Sequence, residues 1–180
     1  MALLRKNTIV FLGCLWTLLG VVGIPVQAEK IEHDFTSFGF SGSLIKTMTA
    51  TTAETDLVNY TCYEKATFTS SANCFVLQMN NTNDSVTTDK AIKDWYKIQL
   101  EYSSAKILTG SDIGIYIREA NGVWQEVSAG VKYAAFTIDA ELPNKGDFFL
   151  KIRNKKGTNF DIRRITYDVD SCNCFRPEEN

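Results

Sequence analysis

The side chains that could serve as nucleophile, general acid or general base are few and scattered. The 180-residue chain holds one histidine, His33, near the N-terminus, in a segment expected to fray. Any Ser-His-Asp or Cys-His arrangement would have to use it. A pair of carboxylates could hydrolyse a glycosidic bond, but no spacing in the sequence brings two together. The carboxylates available for such a pair are Glu101, Glu119, Asp161, Asp168 and Asp170. The sequence therefore predicts a protein that is not an enzyme.

The aromatic side chains carry a stronger signal. Sugars are held by aromatic rings that stack on the sugar face, while a few polar groups fix the hydroxyls. Tyr116 alternates with the isoleucines of its run, so it points outward with Arg118 if the isoleucines face the core. We therefore predict a ligand-binding surface that contains Tyr116, Arg118, Trp124 and Trp95. The alternative is that Trp124 belongs to the core, because a sandwich has two faces.

A hard-cation site is a weaker expectation. Calcium is bound by carboxylates and backbone carbonyls. Asp168 and Asp170 lie near the C-terminus, and Asp34 (or Glu32) near the N-terminus could complete such a set. The chain contains no contiguous calcium-loop motif. Calcium is thus the one cofactor that the sequence suggests.

The first 28 residues have the form of a cleavable signal peptide. Arg5 and Lys6 precede an apolar run over 9–23, and Val26-Gln27-Ala28 places small residues at the −3 and −1 positions. An uncleaved anchor is the alternative, but the run falls short of the roughly 20 residues of a membrane span. Lipidation at Cys14 is disfavoured because the apolar stretch continues past it. We expect a secreted, periplasmic or cell-surface protein.

The rest of the chain reads as a β domain over 29–171 with a short cysteine-containing tail over 172–180. The chain has 19 basic and 21 acidic residues, and without Arg5 and Lys6 the balance is 17 to 21, a net charge of −4. Phosphate affinity comes from Lys and Arg, so a mildly acidic domain without a basic cluster is not expected to bind nucleic acid. No second apolar run approaches the length of a membrane span.

Four cysteines remain after the predicted cleavage: Cys62, Cys74, Cys172 and Cys174. An even number in an exported chain favours disulfides, and three pairings are open. Pairing Cys62 with Cys74 would stabilise the fold by roughly 3 kcal/mol but leave a strained closure between Cys172 and Cys174. The other pairings tie the tail to the Cys62 region. A four-thiolate zinc site would need two close pairs, and only one is present.

Short runs of alternating apolar and polar residues, bounded by turn residues, predict strands. The clearest are 96–102 and 113–118, and Asn121-Gly122 predicts a type I′ hairpin turn after the second. The apolar phase slips by one residue at Arg163-Arg164, which predicts a β-bulge. A first apolar strand is expected to start at Phe35, and 89–95 is the segment expected to form a short helix or turn. About nine strands and no long amphipathic helix predict an all-β fold, an antiparallel β-sandwich of the jelly-roll type.

Three stretches carry a family resemblance. They are Val76–Met79 followed by Val86-Thr87-Thr88 and 92–102, Ile113–Arg118 with Asn121-Gly122-Val123-Trp124, and 147–153 followed by 160–169. Together they resemble jelly-roll modules of secreted Gram-negative bacterial proteins, which are carbohydrate-binding-module-like or adhesin-like. The resemblance implies the fold and an extracellular placement, and it implies no catalytic residue.

These observations predict a non-catalytic exported binding module that recognises a glycan or another cell-surface ligand. One alternative is a structural or adhesion subunit that pairs with another protein, for example by adding a strand to a sheet edge. Another is a small secreted carbohydrate-active hydrolase or lyase. An outward aromatic patch would favour the glycan, and a long uncovered apolar edge strand would favour the protein partner.

Overall fold

The computed structural model describes residues 28–37, 47–51, 57–71 and 74–170. The predicted signal peptide and the cysteine-containing tail lie outside these residues. Within the described part, no helix has the length and apolarity needed to cross a membrane.

The described residues form twelve β-strands and one turn of 3₁₀ helix, Phe35–Ser37. The strands are β1 (Ala28–Asp34), β2 (Thr47–Thr51), β3 (Leu57–Tyr63), β4 (Thr67–Ser71), β5 (Cys74–Met79), β6 (Ser85–Thr88), β7 (Ile92–Ser104), β8 (Ile113–Arg118), β9 (Gln125–Glu126), β10 (Val131–Ala134), β11 (Thr137–Asn154) and β12 (Phe160–Asp170). All pairings are antiparallel. The predicted all-β antiparallel sandwich is confirmed, with more strands than the nine expected.

The strands form two sheets that share β11. Sheet 1 has the order β4-β5-β12-β7-β11-β10, and β1 pairs with the far part of β12. Sheet 2 has the order β2-β3-β6-β11-β8-β9. β11 pairs in sheet 1 as far as Phe148, with register shifts between Glu141 and Gly146 and between Gly146 and Phe148, and it pairs in sheet 2 from Phe149 onward.

The core follows from the alternation of the strands. On β7, Ile98, Leu100 and Tyr102 are buried, while the residues between them stay partly exposed. On β8, Ile113 and Ile115 are also buried, and Tyr116 to Arg118 are partly exposed. Burying a side chain of this size stabilises the fold by about 1.5–3 kcal/mol, so a one-residue slip in register would be costly. The inward faces of both sheets contribute to one continuous core.

The bulge predicted at Arg163-Arg164 is confirmed. The register against β7 shifts between Ile162, which faces Tyr102, and Arg164, which faces Glu101. One extra residue on β12 lets Ile162 and Ile165 both point into the core.

The segment 89–95 was expected to form a short helix or turn. It contains no helix; residues 89–91 form the short connection between β6 and β7, which begins at Ile92. Asp94 has a positive φ of 51°, and register shifts at this end of β7 interrupt the alternation. Phe35 does not start a strand but lies in the 3₁₀ helix, where its ring packs edge-on against Tyr60.

The hairpin after β8 is present, but its turn is not of type I′. The amide of Gly122 donates to the carbonyl of Glu119 at 3.0 Å, so Ala120 and Asn121 occupy the centre of the turn. A type I′ turn needs positive φ at both central residues, and neither has it.

Candidate functional site

The outer face of sheet 2 carries a continuous band of polar and aromatic side chains. On β11, Lys151 lies opposite Thr87 of β6 on one side and opposite Tyr116 of β8 on the other. Thr87 in turn lies opposite Thr61 of β3. Directly opposite residues point to the same side of a sheet, so these four side chains form one row across four strands. Ile152, the next residue of β11, is buried on the core side.

This face encloses an open cavity with a volume of about 790 Å³. We call it the sheet-2 cavity. Its walls come from β3, β6, β8 and β11 and from the loops next to these strands. The lining residues are Thr61, Tyr63, Glu64, Asn83, Ser85, Thr87, Thr88, Asp89, Arg118, Trp124, Lys151 and Arg153. Drug-sized and sugar-sized ligands occupy cavities of roughly 300–1,000 Å³.

Arg118 and Trp124, which line the cavity, belong to a stack of two rings around one cation. The guanidinium carbon of Arg118 lies 5.0 Å from the ring centroid of Trp124 and 4.6 Å from that of Phe149. The ammonium nitrogen of Lys151 lies 5.7 Å from the Trp124 centroid. Each such cation–π contact is worth about 0.5–2 kcal/mol, so the stack restrains the orientation of the guanidinium. Trp124 is half-buried and stands apart from the hydrophobic core.

The other two residues of the predicted ligand-binding surface, Tyr116 and Trp95, do not line the cavity. Tyr116 points to the outer side, as predicted, and its ring covers Gly114: a Cβ on Gly114 would lie 2.6 Å from the ring. It stands next to the sheet-2 cavity without lining it. Trp95 is fully buried, so its assignment to the surface was wrong. The irregular start of β7 turns the indole into the core, where it packs edge-on against Tyr167.

The cavity is rich in cations. Lys151 and Arg153 are two residues apart on β11, and Arg118 of β8 lies opposite Phe149. Arg153 donates a hydrogen bond to the side-chain oxygen of Asn83. Among the described residues, no carboxylate lies within 4.0 Å of the charged nitrogens of these three cations. The lining holds these three cations and two carboxylates, a formal net charge of +1, in a chain whose net charge is −2.

Two carboxylates also line the cavity. Glu64 is exposed, and Asp89 accepts hydrogen bonds from the backbone amide of Asn59 at 2.8 Å and from its side-chain nitrogen at 2.6 Å. Asp89 is thereby held at the end of β6.

A buried carboxylate fixes one rim of the cavity. Asp84 is fully buried, and its two oxygens accept the backbone amides of Lys65 at 3.0 Å, Asn80 at 3.0 Å and Asn81 at 2.8 Å. The backbone of Asn154 brackets the same loop, since it donates to the carbonyl of Asp84 and accepts from the amide of Asn83. Asp84 thus ties the β3–β4 turn to the loop that holds Asn83 beside Arg153.

His33 is enclosed between the sheets. It shares a hydrogen bond with the hydroxyl of Tyr60, which lies 2.7 Å from the hydroxyl of Tyr167. Burial lowers the pKa of His33 to about 4, so the imidazole is neutral at pH 7. The expectation that this segment frays was wrong, because all seven residues of β1 pair with β12.

The predicted calcium ligands have other neighbours. Asp34 forms an ion pair of 3.0 Å with Arg164, whereas Asp168 pairs in register with Lys30 and lies 4.0 Å from the ammonium of Lys97. Asp34 of β1 lies opposite Arg164 of β12, which is four residues away from Asp168 along β12. The side chain of Asp170 lies outside the described residues. In the described part of the chain, no group of three or more His, Cys, Asp or Glu side chains could hold a metal ion. Calcium binding stays a prediction.

The cysteine prediction also stays open. Cys62 is buried on the core side of β3. The side chain of Cys74, and both Cys172 and Cys174, lie outside the described residues.

The carboxylates considered for glycoside hydrolysis are dispersed. Glu101 contacts Arg164 at 3.3 Å on sheet 1. Asp161 lines a separate cavity of about 380 Å³ near Asn80, where burial raises its pKa, and that cavity contains no second carboxylate among the described residues.

Sequence reasoning missed Phe149, Lys151 and Arg153. They alternate with the apolar residues Leu150 and Ile152, which are buried. The signal was present in the polar half of the alternation. What the sequence could not show is that β11 passes into sheet 2 and lies beside β8 there.

No family model and no curated protein matches the chain. Among solved structures it is similar to a family two carbohydrate esterase from Cellvibrio japonicus, at 9% identity and a TM-score of 0.42, over 79% of this chain and 34% of that one. It is also similar to CBM32-1 from a family 31 glycoside hydrolase of Clostridium perfringens (16% identity, TM-score 0.43, 62% of this chain and 94% of that one). A third is the low-affinity xylan-binding module CBM86 from Roseburia intestinalis (7% identity, TM-score 0.38, 64% and 98%).

The chain spans about a third of the length of the esterase. Two of the three structures are carbohydrate-binding modules. Likeness at this level concerns the β-sandwich fold and transfers no function.

Proposed function

We propose that the chain is an exported, non-catalytic binding module that holds a glycan across the outer face of sheet 2. The observation that carries this proposal is the sheet-2 cavity, an open concave surface of about 790 Å³ that spans the middle strands of the sheet. Strands lie about 4.8 Å apart, so β3 to β8 cover roughly 14 Å, which accommodates a short oligosaccharide.

The side chains around the cavity suit a sugar chain. Trp124 and the half-exposed Tyr63 offer aromatic surface for stacking on sugar rings. Thr61 and Thr87 offer hydroxyls that both donate and accept hydrogen bonds. Ligand sites typically combine aromatic surface with a small number of polar groups that fix the orientation of the ligand.

The binding assay is a glycan array with the purified protein and single variants. We expect Trp124→Ala and Tyr63→Ala each to weaken binding at least 10-fold, because each removes a stacking surface. Tyr133→Ala is the matched control, since Tyr133 is a partly exposed aromatic on β10 of sheet 1. Unchanged binding by both cavity variants would contradict the proposal. Parallel measurements with and without Ca²⁺ test the calcium prediction.

The alternative, a partner protein that adds a strand to a sheet edge, has less support in the described residues. Among the described residues, the strands that pair on one side only are β9 with two residues, β10 with four, β2 and β4 with five each and β1 with seven; β10 carries Lys132 and β1 carries Lys30. Short edges that carry a lysine are the features by which sheets avoid pairing with other chains.

Export has its own test. N-terminal sequencing of the secreted protein should begin at Glu29, and recovery of Met1 would contradict the predicted cleavage.

A further inference from the structure

The sheet-2 cavity brings together three cations that form no ion pair among the described residues, whereas several cations elsewhere on the protein are paired. Lys97, Lys106, Lys155 and Arg164 each contact a carboxylate within 4.0 Å. Arg118, Lys151 and Arg153 contact none among the described residues. We propose that the ligand of the sheet-2 cavity is an acidic glycan, whose carboxylate or sulfate groups bind these three cations; this rests on the function proposed above.

The spacing of the three charges fits a chain of repeating anions. Lys151 and Arg153 are two residues apart on one strand, which places them about 6.6 Å apart along β11. Arg118 lies on the neighbouring strand β8, diagonal to Lys151. The three like charges repel one another at these separations, which costs stability in the absence of an anion. A bound anion removes that cost.

The guanidinium of Arg118 is oriented for anion recognition. The rings of Trp124 and Phe149 flank it, as described above, and restrict its rotation. Its Nε is buried and has no hydrogen-bond acceptor in the described part of the chain. A guanidinium has five N–H donors in a fixed plane and binds carboxylate or sulfate oxygens through two parallel hydrogen bonds. Because the two rings cover the faces of the guanidinium plane, an anion can bind only at its edge, where the N–H groups point.

Arg153 and Lys151 have complementary roles. The hydrogen bond to Asn83 fixes one guanidinium nitrogen of Arg153 and leaves its other donors for the ligand. Lys151 supplies a compact charge at the centre of the row, next to the hydroxyl of Thr87. An acidic sugar unit could thus place its charged group on Lys151 or Arg153 and its hydroxyls on the threonines.

The test is a glycan array whose members come in matched acidic and neutral forms, such as polygalacturonate against its methyl ester, and sulfated or sialylated chains against the unmodified ones. We expect binding to acidic members at least 10-fold tighter than to their neutral forms. The double variant Lys151→Gln/Arg153→Gln should abolish that difference. Lys93→Gln, which removes an exposed lysine of β7 on sheet 1, is the matched control and should keep it.

Two further measurements separate recognition from simple charge attraction. Arg118→Lys keeps the charge and loses the planar donor pair, so we expect at least a 5-fold loss of affinity for the acidic glycan. Single-stranded DNA is the second probe, and it should bind at least 10-fold more weakly than the acidic glycan.

Each outcome has a distinct meaning. Equal binding of acidic and neutral forms would overturn the acidic specificity and leave the glycan-binding function intact. Binding to no member of the array would overturn both. DNA binding as tight as glycan binding, or an unchanged Arg118→Lys variant, would show unspecific charge attraction and overturn the acidic-glycan inference. Circular dichroism of each variant confirms that the fold is retained.

Discussion

Replacing Asp84 by Asn tests how the loop beside the sheet-2 cavity is held. The substitution keeps the shape of the side chain and exchanges one carboxylate oxygen for an NH₂ group. One oxygen of Asp84 accepts the amide of Lys65, and the other accepts the backbone amides of Asn80 and Asn81 and the side-chain nitrogen of Asn81 at 3.2 Å. In either orientation of the new amide, its NH₂ faces at least one partly buried backbone N–H.

The magnitude follows from these contacts. A hydrogen bond to a charged group contributes about 1.5–3 kcal/mol, and a donor left unsatisfied in the interior costs about 1–3 kcal/mol. The more favourable orientation loses the bond from Lys65 and weakens the other three. We expect Asp84→Asn to lower the free energy of unfolding by about 3 kcal/mol. For a domain of this size that corresponds to a fall in Tm of roughly 6–12 °C.

Urea unfolding followed by circular dichroism measures this difference, with equal slopes for both proteins as the check on two-state behaviour. Asp89→Asn is the matched control. Asp89 also accepts two hydrogen bonds from Asn59, but it is exposed, so we expect a loss below about 1 kcal/mol. If Asp84→Asn costs no more than Asp89→Asn, the account of Asp84 as the clamp of this loop is refuted.

Three further predictions concern stability. Burial lowers the pKa of His33 from 6.5 to about 4, so the unfolded chain binds more protons than the folded one between these pH values. The free energy of unfolding should therefore fall by about 3 kcal/mol from pH 6.5 to pH 4. Urea unfolding of His33→Gln at several pH values should show a smaller change of the free energy of unfolding over that range. Phe136 has a φ of 70°, a conformation that asparagine tolerates better than phenylalanine, and its side chain is 65% exposed. Phe136→Asn should therefore raise the free energy of unfolding by about 1 kcal/mol in thermal melts, and a lower free energy of unfolding would contradict the inferred strain. Gly157 has a φ of 74°, and a Cβ there would lie 3.1 Å from the amide nitrogen of Thr82, so Gly157→Ala should destabilise by about 1–3 kcal/mol, whereas an unchanged Tm would show that the loop adapts.

Local patterns predicted the parts of the fold that local forces determine. The alternation of Ile113 and Ile115 placed Tyr116 and Arg118 on the outer side, and the phase slip at Arg163 gave the bulge. These features depend on the two-residue period of a strand, which is visible within six or seven residues.

Strand partners are set by contacts between distant residues, and here the sequence was insufficient. The row across sheet 2 joins Thr61, Thr87, Lys151 and Tyr116, which come from four separate parts of the chain. Trp95 was misplaced for a related reason, since the irregular register at the start of β7 hides the face to which its indole belongs. The aromatic residues therefore predicted a ligand-binding surface, but they did not show which side chains lie on it together.

The most direct test of the central claim is a two-dimensional NMR titration of the protein with the tightest-binding glycan of the array. The indole N–H of Trp124 and the backbone amides of Thr87 and Lys151 should shift, because they belong to the sheet-2 cavity. The indole of Trp95 is buried and should stay fixed, which makes it an internal control. Shifts confined to 119–122 and 143–148, which line a different cavity of about 660 Å³, would contradict binding on the face of sheet 2.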